Sequence, residues 1–237
     1  MPENTINHKI FIIGLPRTST TSICSKFIEL GFKVAHTAYT ERTFEQAQVI
    51  ADTPVFSDFE SLDSFYPKSK FIYLERDLSL WLPSIKQLLQ RMSHNIQRDD
   101  GGFNPYIKQS YQEIFSPFTD ENIKCDEFLK ACYLKHQARV LNYFKHRPED
   151  LLTIDISDKE SLSKLIGFLS LSQEMSQCQF NKLNLEKPNF GKLNVGGKVT
   201  AWKDLKHPNK IESTKKGRIT PLNYKLLFTK QVNMPII

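Results

Sequence analysis

The sequence predicts a three-layer α/β fold, in which helices cover both faces of a central parallel sheet. Between residues 8 and 170, short apolar runs alternate with longer segments whose apolar residues recur at helical spacing. Apolar runs rich in β-branched residues are typical of buried parallel strands, and their alternation with helices is typical of β-α-β units. A chain of 237 residues is long enough for one sizeable core. We therefore predict a single domain over residues 1–237.

Residues 8–77 are predicted to form the first part of the core. The first strand runs from His8 to Gly14 and ends in glycine, as a strand before a tight loop should. Thr20 and Thr21 can cap the helix that follows, and Gly31 ends it. The later predicted elements are a strand at Phe32 to His36, a helix over residues 41–51, a strand at Pro54 to Ser57, a helical turn over residues 59–66 and a strand at Lys70 to Leu74.

Residues 78–147 are predicted to form a helical insertion in this core. Their periodicity is mostly helical, and turn residues interrupt it near Asp99 to Gly102 and at Pro105 and Pro117. We expect the insertion to form one wall of a ligand-binding cleft.

The core is predicted to resume over residues 148–170, with a strand at Leu151 to Ile156 and a helix at Lys159 to Leu169. Residues 172–237 show no sustained period, so they are predicted to be a loop-rich tail with a short helix near residues 221–230. The net charge of the chain is +6, yet residues 182–237 carry 12 basic and 3 acidic side chains, which gives +9 there and −3 elsewhere. An anionic ligand beneath the tail would explain this segregation, and so would a solvated basic face.

Several classes of protein are excluded by composition. No apolar run approaches the roughly 18 to 20 residues that a membrane span needs, and the first residues lack the basic and apolar regions of a signal peptide. We therefore expect a cytoplasmic protein without membrane contact. The four cysteines form no CxxC pair and have no histidine at metal-ligand spacing, so neither a disulfide framework nor a metal site is predicted.

The loop after the first strand has the features of an anion cradle. It joins a buried strand to a helix amino terminus, where backbone N–H groups and the helix dipole favour negative charge. All of its last five residues carry hydroxyls, and Arg17 adds a fixed positive charge with several donors. The candidate phosphate-binding residues of this loop are Pro16, Arg17, Thr18, Ser19, Thr20, Thr21 and Ser22. A capped structural turn without a ligand is the alternative.

The P-loop of nucleotide hydrolases and kinases does not fit this segment. Its signature, G-x-x-x-x-G-K-[ST], would begin at Gly14 and would then require glycine at Ser19 and lysine at Thr20. With a cation three residues after Gly14, the loop instead resembles the 5′-phosphosulfate loop of sulfotransferases, which runs Gly-x-Pro-(Lys or Arg)-Ser/Thr-Gly-Thr-Thr between a strand and a helix. The resemblance implies a P-loop-type fold, although the P-loop signature of nucleotide hydrolases and kinases is absent.

A second motif makes the resemblance specific. The segment from Phe71 to Ser84 is a predicted strand that leads into a helix, with Arg76 and Ser84 eight residues apart. An arginine at the end of a strand offers a bidentate grip on a phosphate, and a hydroxyl on the next helix adds a donor. The same spacing is found at the 3′-phosphate site of sulfotransferases. By resemblance, Arg76 and Ser84 bind the 3′-phosphate of 3′-phosphoadenosine 5′-phosphosulfate (PAPS), whose product is 3′-phosphoadenosine 5′-phosphate (PAP).

Two weaker matches lie elsewhere in the chain. Asp58-Phe59-Glu60, followed by Tyr66-Pro67, resembles the bacterial pattern of Asp-x-Pro followed by a Tyr-Pro turn, with Glu60 in place of the proline. The segment from Gly196 to Lys203 is loosely similar to the family element that closes over the nucleotide, which makes Gly197 and Lys198 candidate cofactor-binding residues. Over residues 8–169 the resemblance is extensive, and in the tail it is weak.

The loop departs from the family pattern at one position, and the residue that acts as the base has more than one candidate. Ser19 stands where the family has glycine, and a non-glycine residue disfavours the positive φ that a loop around an anion often needs. Sulfuryl transfer also needs a base for the acceptor proton. Asp58 is the first candidate, because it follows the strand predicted before the Arg76 strand. His36, at the end of the second strand, is the next.

The sequence therefore predicts sulfuryl transfer from PAPS, without a metal, to a hydroxyl or amine of a small-molecule or glycan acceptor. No nucleic acid partner is predicted, and the sequence leaves the oligomeric state open. Two alternatives remain: a P-loop nucleotide or small-molecule kinase, and a non-catalytic protein that binds PAPS or PAP. A kinase would need a lysine on the γ-phosphate, for which there is no clear candidate.

Overall fold

A computed structural model describes residues 8–171, 190 and 201–214 of the chain. Within these residues, five parallel strands form one sheet in the order β2-β3-β1-β4-β5, flanked by helices. This confirms the predicted α/β class. The strands are β1 (Ile10–Ile12), β2 (Val34–Ala35), β3 (Val49–Ala51), β4 (Lys70–Leu74) and β5 (Leu151–Ile154). The helices are α1 (Thr20–Glu29), α2 (Glu41–Gln46), α3 (Val55–Phe65), α4 (Leu78–Gln97), α5 (Pro105–Ile114), α6 (Asp126–Phe144), α7 (Ser161–Leu171) and α8 (Ala201–Asp204).

Successive residues of the central strand β1 face opposite sides of the sheet and create two apolar layers. Phe11 belongs to a buried cluster that includes side chains of α3 and α6. Ile10 and Ile12 belong to a second cluster, which includes side chains of α1 and α7. Because β1 pairs with β3 on one side and β4 on the other, it is buried on both faces and both edges.

Two of the predicted elements between residues 41 and 57 are wrong. The predicted helix over residues 41–51 is a short helix, α2, which ends at Gln46, followed by the strand β3. The predicted strand at Pro54 to Ser57 is instead the start of α3, with Pro54 at its N-cap. Val49–Ala51 form the strand because they fill the buried place between β2 and β1, where ladder hydrogen bonds satisfy their backbone on both sides.

The predicted helical segment 78–147 contains α4, α5 and α6, with a 3-10 helix at Asn122–Lys124. The break after α4 lies where the sequence predicts it, and Gly101 and Gly102 have φ values of 125° and 84° there. Such values favour glycine. The three helices enclose a third apolar cluster around Trp81, which attaches the insertion to the rest of the core.

The described part of the tail returns to the edge of the sheet. Lys210 forms a parallel bridge with Val34 of β2, and the N–H of Ile211 donates to the carbonyl oxygen of Val34 at 2.9 Å. Further along, the N–H of Tyr39 donates to the carbonyl oxygen of Ser213 at 3.0 Å. The short helix predicted near residues 221–230 lies outside the described residues. Among the helices that are described, none has the length and apolar character required to span a bilayer.

Candidate active site

The carboxyl ends of the strands open into a cleft of about 1460 Å³. This is where ligands bind in open α/β sheets, because loops from several strands converge there. The loop after β1 forms its floor, α4 and α5 contribute one wall, and Phe190 and part of the segment 201–214 contribute another.

The loop after β1 is held against the end of β4. A side chain at Gly14 would place its Cβ 2.6 Å from Cβ of Leu74, so only glycine permits this approach. Arg17 and Ser19 have φ values of 74° and 73°, in the left-handed region. Ser19 therefore adopts the conformation for which glycine is favoured. It is the N-cap of α1, and its side chain makes no capping hydrogen bond.

The hydroxyl of Thr18 is bound within the loop. The Thr18 side chain is buried, and its hydroxyl donates to the carbonyl oxygen of Leu15 at 2.7 Å. Thr18 is absent from the described residues that line the cleft, whereas Pro16, Arg17, Ser19, Thr20, Thr21 and Ser22 line it. The Thr18 hydroxyl thus stabilises the turn that presents its neighbours.

Thr20 and Thr21, in the first turn of α1, share one histidine. Nε2 of His36 lies 3.1 Å from Oγ1 of Thr20 and 3.1 Å from Oγ1 of Thr21. Burial lowers the pKa of His36 below its usual value, the nearby carboxylate of Asp52 opposes this shift, and the ammonium of Lys210 adds to it. His36 thus connects the anion loop to the end of β3.

The two predicted phosphate motifs meet at Arg17, which lines the cleft together with Arg76, whereas Ser84 is not among the described residues that line it. Nε of Arg17 donates to Oγ of Ser84 at 2.7 Å, although 67 residues separate them. Nη1 of Arg76 donates to the carbonyl oxygen of Arg17 at 2.6 Å. Burial lowers the pKa of Arg17, and the positive charges of Arg76 and then Arg91 lower it further. Two neighbouring cations, one of which also contacts a hydroxyl, form a site that favours a polyanion.

Asp52, which is not among the predicted site residues, lies at the end of β3 and lines the cleft. Its backbone is left-handed, with φ of 60°. Its Oδ1 accepts a hydrogen bond from the N–H of Thr53 at 2.8 Å, and its Oδ2 lies 3.7 Å from Nδ1 of His36. A signal for it was present: Asp52-Thr53-Pro54 fits the Asp-x-Pro pattern without the replacement that Asp58-Phe59-Glu60 requires.

Asp58 does not follow a strand, so the basis for its selection as the base was wrong. It lies within α3 at a local kink, with φ of −102° and ψ of 16°. It is not among the described residues that line the cleft. The strand end from which Asp58 was expected to act is the position of Asp52.

A short part of the tail covers His36. The ring of Trp202 lies 5.5 Å from the His36 ring, at an interplanar angle of 34°. The ammonium of Lys210 lies 5.2 Å from the centre of the Trp202 ring and donates to the carbonyl oxygens of Trp202, Lys203 and Leu205. Lys210 thereby secures the position of Trp202. Gly197 and Lys198 lie outside the described residues.

No group of three or more potential metal ligands from His, Cys, Asp and Glu occurs in the part of the chain that the structure describes.

Comparison with known proteins identifies the family. A family model described as a sulfotransferase domain matches residues 37–187, which is well over half of the chain. No curated protein matches the chain. The matched region contains Asp52, Arg76 and Ser84 and begins directly after His36. The chain belongs to the sulfotransferase domain family.

Proposed function

We propose that the protein transfers the sulfuryl group of PAPS to a hydroxyl or amine of an acceptor. The observation that carries this proposal is the contact between the two phosphate motifs, in which Arg17, Ser84 and Arg76 are joined by hydrogen bonds of 2.7 and 2.6 Å. Membership of the sulfotransferase domain family supports it.

The side chains in the cleft fit the charge of PAPS. A donor with a 5′-phosphosulfate and a 3′-phosphate presents two anionic groups, and the cleft is lined by two arginines, several hydroxyls and the amino terminus of α1. Arg17, Thr20 and Thr21 would bind the 5′ group, and Arg76 with Ser84 would bind the 3′-phosphate. The bound donor supplies the electrophile: acceptor oxygen or nitrogen bonds to sulfur while the bond from sulfur to the bridging phosphate oxygen breaks and its electron pair stays on phosphate.

Asp52 is the residue that we assign to the acceptor proton. Its carboxylate lines the cleft, and it is an electrostatic neighbour of Arg17. One oxygen is bound to Thr53, which fixes the orientation of the group, and the other faces His36. His36 contacts both loop threonines, so in this proposal it positions the hydroxyls of the anion site.

The donor site is tested by calorimetry with PAP. We expect micromolar affinity, about −8 kcal/mol, and much weaker binding of ATP with Mg²⁺. Arg76→Ala should weaken PAP binding by about 2 kcal/mol or more, because a charge-assisted contact to a phosphate is lost. Arg42→Ala is the matched control, since Arg42 is exposed and bonds to Gln46 in α2. ATP binding as tight as PAP, or an Arg76→Ala variant with wild-type affinity, would refute the donor assignment.

The base is tested by a pair of isosteric changes. Asp52→Asn should lower kcat by roughly 10² to 10⁴, with PAP affinity intact, because it removes the proton acceptor and preserves shape. Asp58→Asn serves as the control and should leave kcat near wild type. The reverse result would restore Asp58. If His36 is the base, the acid limb of the kcat/KM profile lies below pH about 6.5, because burial lowers the pKa of this imidazole. That limb then disappears in His36→Asn.

A further inference from the structure

The wall of the cleft contributed by the helical insertion is apolar. Five of its side chains define what we call the apolar wall: Leu80, Leu88 and Met92 of α4, and Ile107 and Tyr111 of α5. Leu88, Met92 and Ile107 pack against the buried cluster of the insertion and keep part of their surface exposed. Leu80 is 56% exposed. Exposed aliphatic side chains that line a cleft mark a place where an apolar ligand gains free energy by leaving water.

The apolar wall is continuous with the donor site because both use one face of α4. Residues 80, 84, 88 and 92 are four apart, so their side chains form a single row along the helix. Ser84, the hydroxyl bound by Arg17, belongs to this row. Leu88 and Met92 lie one and two turns beyond it, so the apolar surface continues for about 12 Å past the anion site.

The end of the wall beside the donor site is polar. Tyr111, Arg17 and Asp52 are electrostatic neighbours, and the same Asp52 lines the cleft at the end of β3. Burial raises the pKa of the Tyr111 hydroxyl, so the group stays neutral and can donate a hydrogen bond. The polar end therefore suits a single hydroxyl, and the apolar wall suits hydrocarbon.

From this gradient we infer that the acceptor is an apolar compound with one reactive hydroxyl, such as an alkyl phenol, and not a glycan. The inference rests on the proposed sulfotransfer and specifies the acceptor of that site. A sugar placed along Leu88, Met92 and Ile107 would bury hydroxyl groups against side chains that offer no strong hydrogen-bond partners, which is unfavourable. A hydrocarbon body placed there loses no hydrogen bonds.

The test measures binding of phenol and of 4-ethyl-, 4-butyl-, 4-hexyl- and 4-octylphenol by calorimetry, with and without saturating PAP. Affinity should rise by about fourfold for each methylene that the wall buries, so that two buried methylenes give about a 15-fold gain. Chito-oligosaccharides serve as the glycan probe and should bind far more weakly. An affinity that is independent of chain length, or tighter binding of the oligosaccharide, overturns the inference.

Two variants locate this effect on the apolar wall. Met92→Gln keeps the length of the side chain and should lower 4-octylphenol affinity by about fivefold, with phenol and PAP binding within twofold of wild type. Leu80→Asn should also lower 4-octylphenol affinity. Because Leu80 is largely exposed, we expect the fold to tolerate this substitution. Leu134→Asn is the matched control, because Leu134 is 44% exposed on α6 and does not line the cleft. Equal effects of Leu80→Asn and Leu134→Asn would refute the location.

The outcomes separate this inference from the proposed function. If PAP binds and the alkylphenols show no dependence on chain length, the acceptor class is wrong and the donor site stands. If PAP fails to bind and the chain-length dependence persists, the cleft binds apolar hydroxyl compounds but sulfotransfer from PAPS is wrong, and the acceptor assignment falls with it.

Discussion

We expect the free energy of unfolding to fall between pH 6.5 and pH 4 because of one buried histidine, His136 of α6. Its Nε2–H donates to the carbonyl oxygen of Ile13 at 2.9 Å, directly before the anion loop. Its Nδ1 is buried and has no hydrogen-bond partner among the residues that the structure describes. A proton on Nδ1 would place an unpaired charge in the core, and burial accordingly lowers the pKa of His136 to about 4.

The size of the effect follows from the two pKa values. In the unfolded chain His136 titrates near its ordinary value of about 6.5. Above that pH the side chain is neutral in both states and contributes no pH dependence. Between about 6.5 and 4 the unfolded chain binds a proton that the folded chain does not bind, so stability falls as the pH falls. The expected loss is about 1 kcal/mol at pH 5.5 and about 3 kcal/mol at pH 4.

Urea unfolding of the wild type and of His136→Gln, at pH values of about 7.5, 5.5 and 4.5, measures this loss. The glutamine amide can still donate to the Ile13 carbonyl, and it cannot be protonated in this range. Because carboxylates titrate in both proteins, the difference between the two stability curves isolates His136. Curves that stay parallel from pH 7.5 to pH 4.5 would refute the assignment of a depressed pKa to this side chain.

Four further predictions concern the anion loop and one exposed helix position. Gly14→Ala should destabilise the fold by about 1 to 3 kcal/mol in the same urea assay, because the added Cβ clashes with β4. Gly167→Ala should stabilise the fold by about 1 kcal/mol, because Gly167 is an exposed position of α7 and the added Cβ meets no described atom within 4 Å. Ser19→Gly should not destabilise, because relief of left-handed strain of about 1 kcal/mol offsets the entropy of glycine. Arg17→Lys should retain part of the turnover, whereas Arg17→Ala should lower kcat more than it lowers PAP affinity, which kinetics and calorimetry together measure.

The strands β1 and β4 are predictable because the sequence signal and the structural requirement coincide. Both are central in the sheet and buried on both faces, and such strands require continuous apolar runs. The segment over α2 and β3 is different. Phe44, Ala47 and Ile50 are spaced by three, which imitates a helix, and neither glycine nor proline marks the change from helix to strand. Local periodicity cannot report that a buried place in the sheet requires a strand there.

The same error explains which part of the candidate site was missed. Arg17, Arg76 and Ser84 lie in motifs adjacent to β1 and β4, the strands whose signals are strong, and the structure brings them together as the sequence predicts. Asp52 follows β3, whose sequence signal is weak, whereas the strand predicted before Asp58 is part of the helix α3. The left-handed backbone of Asp52 also cannot be predicted from the sequence, because an aspartate does not by itself require a positive φ.

The order of the strands assigns different tasks to the two sides of the cleft. Along the edge formed by the strand ends, His36 follows β2, Asp52 follows β3, Arg17 follows β1 and Arg76 follows β4. The cations therefore cluster over β1 and β4, and the groups able to accept a proton lie over β2 and β3. Asp155, which lines the cleft after β5, follows the strand on the far side of β4 from His36 and Asp52. An acceptor that attacks from the side opposite the departing phosphate must approach over β2 and β3, where the proposed base, Asp52, lies.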